Sequence, residues 1–147
     1  PAGTVSLFFN SSYVELARQG AHTQAALVNL GYAVSTFTGV TAADWNAAFA
    51  VSDAVVIPKM EKGAPSLAAD AFGAINAHLA AGKGLVVMGT SDSYEEALLN
   101  TLRGWSIYNV PYTCIGTMIK EAADDFPNSP AVLTCLGSTH LVLSCNS

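Results

Sequence analysis

Asp53-Ala54-Val55-Val56-Ile57-Pro58 and, one helix-length later, Gly82-Lys83-Gly84-Leu85-Val86-Val87-Met88 decide how this chain folds. Each holds a short apolar run rich in β-branched residues, the pattern of a strand covered on both faces. Pro58 ends the first run, because proline cannot donate to a sheet ladder. Between the two, Ala68, Ala71, Phe72, Ile75 and Leu79 recur at helical spacing, with Ser66 placed to cap the helix. A strand, a helix and a strand of these lengths make a right-handed crossover, which forces the two strands parallel.

The same unit recurs toward both ends. Val5 to Phe9 reads as a buried strand, and Ala21 to Leu30 as a helix stopped by Gly31. Ala33 to Phe37 is β-branched and aromatic, a second strand. Thr41 to Asp44 opens a short helix whose inner side is Trp45, Ala48 and Phe49. Ser93-Tyr94-Glu95-Glu96 matches a capping box, opening a helix that carries Leu98, Leu99 and Leu102 to Gly104. The expected architecture is α/β, a mainly parallel sheet in the order 2-1-3-4 with helices covering both faces. After Trp105 the rhythm breaks. Ile107 to Tyr112, Ala131 to Cys135 and His140 to Ser144 read as strands, with one or two helical turns between Met118 and Phe126. Residues 1–106 are therefore the α/β core, and 107–147 an irregular β extension of the same domain, on the sheet edge.

The 147 residues are enough for one domain with a core of its own. Only 12% are charged, about half the usual share, while 51% are hydrophobic. The net charge of −5, with six lysines and arginines scattered singly, lacks the basic stripe that nucleic acid requires. Apolar runs such as Ala54 to Ile57 fall far short of the ~20 residues that span a bilayer. Pro1-Ala2-Gly3 shows neither an initiator Met nor a signal pattern, and the chain reads as processed or as part of a longer one.

All three cysteines, Cys114, Cys135 and Cys145, lie in the last third. None forms a C-x-x-C pair, so a zinc or thioredoxin-like site is not expected. Cys135 and Cys145 flank the turn-like Leu136-Gly137-Ser138-Thr139 between two apolar runs, read as a hairpin that can bring them within disulfide reach. Two buried free thiols are the alternative. Cys114 is then buried, or paired outside this stretch. Asn10-Ser11-Ser12 is a glycosylation triplet, whereas Asn128-Ser129-Pro130 is spoiled by its proline.

In an open parallel sheet, ligands settle beyond the carboxyl ends of the strands, where strand order reverses. Here Asn10 and Ser12, Lys59 and Glu61, and Thr90 and Asp92 are the candidates to line that crevice. A nucleophile needs a base in reach and the base needs an orienter. Ser91 comes too late for a nucleophile elbow, and none of His22, His78 and His140 follows the fourth strand at a useful spacing. No phosphate-binding glycine motif follows the first strand. Asp124-Asp125 and Glu95-Glu96 read as solvated pairs, so no metal site and no cofactor is expected. Trp45, Phe49, Phe72 and Trp105 read as packing residues, with Tyr13, Tyr94, Tyr108 and Tyr112 freer to make contacts.

Thr36-Phe37-Thr38-Gly39-Val40-Thr41-Ala42-Ala43-Asp44-Trp45, Asp53 to Glu61, Ala81 to Gly89 and Leu98 to Ser106 together resemble the class I glutamine amidotransferase-like superfamily, in the variety found within large secreted or surface proteins. The resemblance covers residues 4 to 106. It implies a flavodoxin-like core, a three-layer sandwich, with a site above strands one, three and four. The enzyme members' cysteine would fall near Met88 or Gly89, and neither can serve, so the resemblance carries over no catalytic residue. The expectation is a non-catalytic structural, assembly or adhesion domain of a secreted or cell-surface multidomain protein. Its partners would be other domains of the parent chain or further copies. A carbohydrate-binding module using the strand-end crevice is the alternative, and a hydrolase with atypical residues a more distant one.

Overall fold

A computed structural model of the chain describes residues 2–89, 94–112, 117–119, 132–134 and 140–145, with side chains described through residue 106. Four parallel strands form its central sheet: β1 (Thr4–Phe8), β2 (Ala33–Phe37), β3 (Ala54–Ile57) and β4 (Gly84–Val87). Their order is β2-β1-β3-β4, as the sequence pattern requires. Helix α1 (Ala21–Asn29) crosses from β1 to β2 on one face, where Leu27 packs on Val5, Leu7 and Val56. Helices α2 (Ala42–Ala50), α3 (Ala69–Ala80) and α4 (Tyr94–Arg103) share the other face. Trp45, Phe49, Ile75, Leu98 and Leu102 meet Phe8, Val55 and Ile57 there.

The α2 face is held by aromatic packing. Trp45 is fully buried, stacked on Phe8 at 5.9 Å and edge-on to Phe37 at 5.1 Å between ring centres. Helix α2 earns its start from Thr41, which accepts from the Asp44 N–H while the Asp44 carboxylate accepts from the Thr41 N–H and hydroxyl. These bonds, the Thr41 hydroxyl's foremost, hold the Asp44 carboxyl below its ordinary value of 3.8. Gly39 makes the box possible: a Cβ at that position would lie 1.9 Å from the Asp44 carboxyl carbon.

The opposite end of the sheet is clasped by Asp53. Its carboxylate accepts from the Thr4 N–H at 2.8 Å and the Thr4 hydroxyl at 2.9 Å. Its own N–H donates to the Thr4 carbonyl, and its carbonyl accepts from Gly84. One residue thus ties β1, β3 and β4 together. The Thr4 N–H above all, then the Thr4 hydroxyl and nearby Lys83, hold the Asp53 carboxyl below 3.8.

Three details depart from the sequence reading. Ser66 does not cap α3: the helix begins at Ala69 behind an extended Ala68, with no side-chain cap. Ser66 stays in the loop, where its N–H donates to the Tyr13 hydroxyl and the Leu67 N–H turns back to the Pro65 carbonyl. Met118 and Ile119 are not helical but lie in a strand, β6 (Thr117–Ile119), paired antiparallel with β7 (Val132–Thr134). The β-branched Thr117 and Ile119 favour that choice. The strand β8 (His140–Cys145) pairs antiparallel with β5 (Ile107–Tyr112), rather than folding back on β7. Cys114 and Cys135 lie outside the described residues, and with them the disulfide expectation.

Two expected outcomes test these contacts. A depressed carboxyl pKa stabilises the fold fully above the unfolded value and loses that contribution as pH falls through the folded one. Urea midpoints of the wild type should therefore drop from about pH 5 to about pH 3 more steeply than those of Asp53→Asn. Gly39→Ala should cost about 1–3 kcal/mol in the same measurement at neutral pH, through the clash with Asp44.

Candidate functional site

The switch point of the sheet lies between the carboxyl ends of β1 and β3, and the chain spans it with hydrogen bonds. After β1, Asn10 folds the backbone into a turn: its side-chain oxygen accepts from the Ser12 N–H at 2.9 Å, and its carbonyl accepts from Tyr13 and Val14. A π-helical turn over Leu16–Gly20 then leads directly into α1. After β3, the N–H groups of Glu61 and Lys62 both donate to the Tyr13 carbonyl at 3.1 Å. The Lys62 ammonium donates to the Ser11 carbonyl at 3.1 Å and pairs with Glu15 at 3.2 Å. The Tyr13 hydroxyl accepts from the Ser66 N–H, and its ring stacks on Phe8. Val14 and Met60 fill the floor beneath, both fully buried.

The candidates from sequence are largely committed to this closure. Asn10 gives its Nδ2, the atom that would carry a glycan, to the Thr38 carbonyl at 2.7 Å. Lys59 and Glu61 lie 3.7 Å apart as an ion pair. Ser12 is exposed. Thr90 and Asp92 lie outside the described residues. Tyr13, read as free for contacts, is instead the hinge-pin of the two loops. His78 Nε2 lies 2.9 Å from the Asn46 side-chain oxygen, and its ring stacks on Phe49.

Glu95 and Glu96 overturn the expectation of a solvated pair. They are only 3% and 4% exposed, at the start of α4. The Glu95 carboxylate accepts from the Met60 N–H at 3.2 Å and so ties α4 to the loop after β3. The sequence did carry the signal: Glu95, Leu98 and Leu102 fall at i, i+3 and i+7, on one helical face, and both leucines are buried. Neither oxygen of Glu96 has a hydrogen-bond partner among the described residues.

Among the described residues, cavities lie away from the switch point. One of about 390 Å³ opens beside β4, lined by Leu79, Leu85, Val87, Leu99 and Leu102 with Arg103 and Trp105 at its rim. Two more, of about 340 and 200 Å³, run along β2 and share Ser35 and Val51. Among the described residues, no group of three or more His, Cys, Asp or Glu is placed to hold a metal ion, and no helix is long and apolar enough to cross a membrane.

Comparison of the chain with protein-family models, with curated proteins and with solved structures finds no match.

Glu95 gives this region a measurable signature. Glu95→Ala strands the buried Met60 N–H and should cost about 1–3 kcal/mol in chemical denaturation. Glu95→Gln keeps an acceptor at the same place and should recover most of that loss.

Proposed function

We propose that this chain is a non-catalytic assembly domain of a secreted or cell-surface multidomain protein, and that it makes contact through the outer edge of β2. The observation that carries this reading is the unguarded state of that edge among the described residues. Sheet edges are ordinarily blunted by lysine, proline, a bulge or a covering element. Ala33-Val34-Ser35-Thr36-Phe37 has no charge and no proline, and its pairing to β1 runs unbroken in register. The Ala33 N–H and Phe37 carbonyl point inward to β1, so Val34 and Thr36 turn their backbone groups outward. Ala33, Ser35 and Thr36 are exposed beside the two cavities, and Val51 between them is 64% exposed. An extended segment of another domain, or of a further copy, could add to this edge through main-chain bonds and seat side chains in the cavities.

Low charge and the candidate Cys135–Cys145 pair support the extracellular setting. Met88 and Gly89, where the resemblance would put a nucleophile, support the non-catalytic part. The carbohydrate-binding alternative draws less support, since Asn10, Lys59 and Glu61 are engaged within the chain.

Sedimentation of the full chain over a concentration series tests the reading. Self-association is expected, weakened at least about tenfold, or about 1.4 kcal/mol, by Thr36→Lys and by Thr36→Pro. Thr36→Pro removes an outward N–H and leaves the β1 ladder intact. Association unchanged by both variants would remove β2 from the interface.

A further inference from the structure

The outer edge of β2 is complementary to itself. Resting on the assembly reading above, we propose that the partner of this edge is a second copy of the chain. The two β2 strands pair antiparallel about a two-fold axis through Ser35. The central sheets of the two copies then join edge to edge, β4-β3-β1-β2 running on into β2-β1-β3-β4 of the copy.

Hydrogen bonds already made leave a short stretch of backbone open, and it is centred on Ser35. Val34 and Thr36 turn their N–H and carbonyl groups away from β1, with no partner for them among the described residues. Just before the strand, the Tyr32 N–H is spent on the Leu27 carbonyl. Just after it, the Thr38 carbonyl accepts from the Asn10 side chain at 2.7 Å. Tyr32 and Thr38 stand equally far from Ser35 along the chain, so the open stretch is the same from either end. Antiparallel pairing through Ser35 sets Val34 opposite Thr36 of the copy, and each such pair exchanges both of its main-chain bonds. Slipping the register to the next bonding position calls on the spent Tyr32 N–H in one direction and on the Thr38 carbonyl in the other.

A parallel two-fold arrangement fails on the same grounds. In a parallel ladder each bonding residue lies opposite one that bonds the other way. Ala33, whose N–H goes to Gly3, faces Thr4, whose carbonyl serves Asp53 on β3. A two-fold axis along the strands would set every residue opposite itself, donor against donor. Joining β2 to β4 of the next copy would leave an edge open at every step and continue into a fibre, whereas an edge that pairs with itself closes after one partner.

Side chains agree with the pairing. It sets Ala33 beside Phe37, Val34 beside Thr36 and Ser35 beside its own copy, so no charge meets its like along the strands although each chain carries −5. Ser35 and Val51 together line both cavities along β2, which places the 64% exposed Val51 of each copy near the axis. Pairing withdraws that apolar surface from water.

Cysteine scanning on the full chain reads the register. Residues facing each other at the axis form a non-hydrogen-bonded pair with Cα atoms about 4.5 Å apart, within disulfide reach. Position 34 and its own copy, or position 36 and its own copy, stand diagonally about 7–8 Å apart, beyond that reach. Under mild oxidation Ser35→Cys should therefore give a dimer linked through position 35 at least about tenfold faster than Val34→Cys or Thr36→Cys link through theirs, as read by peptide mass spectrometry. No link at position 35, or equal rates at the three positions, would overturn the two-fold pairing. So would a link from position 35 to Cys114, Cys135 or Cys145 of the same chain, which would hand the edge to the chain's own C-terminal region. If Thr36→Lys still weakens association in those cases, the assembly reading survives without this partner geometry. Association indifferent to Thr36→Lys removes both.

Discussion

Trp45 is the contact on which the α2 face depends. It touches Phe8 from β1, Phe37 from β2 and Phe49 one turn on, bringing two strands and a helix to one fully buried ring. Such an aromatic payload is large for a small domain, and stacked and edge-on pairs add to the burial itself. The position of Trp45 is in turn set by the Thr41–Asp44 box and by the room Gly39 leaves for it. A short polar sequence at the mouth of α2 thereby fixes the register of a hydrophobic core several residues away.

The parallel core was legible because period and punctuation agreed. β-branched runs ended by Pro58 and glycine stops left few alternatives for β1 to β4, and Trp45, Ala48 and Phe49 were recognisable as one helical stripe. What was misread has physical reasons. Ser66 looked like a cap because serine so often is one, but its N–H donates to the Tyr13 hydroxyl and α3 begins only at Ala69. The partners of β5 to β8 depend on long-range pairing, for which local pattern carries no register.

The strand-end crevice was located from topology, and its position followed from strand order. Its filling did not. That Tyr13 would take two N–H groups from the loop after β3, or that Asn10 would bridge to Thr38, depends on how two loops meet. Charge misled at Glu95 and Glu96, where adjacent carboxylates suggested solvent while the spacing to Leu98 and Leu102 pointed inward. Between charge and period, period was the better guide. The cost of burying Glu95 is offset in part by a main-chain donor.

The two tryptophans of the chain sit in opposite surroundings: Trp45 has no solvent contact, while Trp105 is half exposed with the Arg103 guanidinium over its ring at 5.8 Å. Their emission should differ in colour, blue from the dry interior and red from the wet rim. The protein therefore carries two native fluorophores, one reporting the integrity of the core and the other the wetting of the β4 flank, readable without any added label.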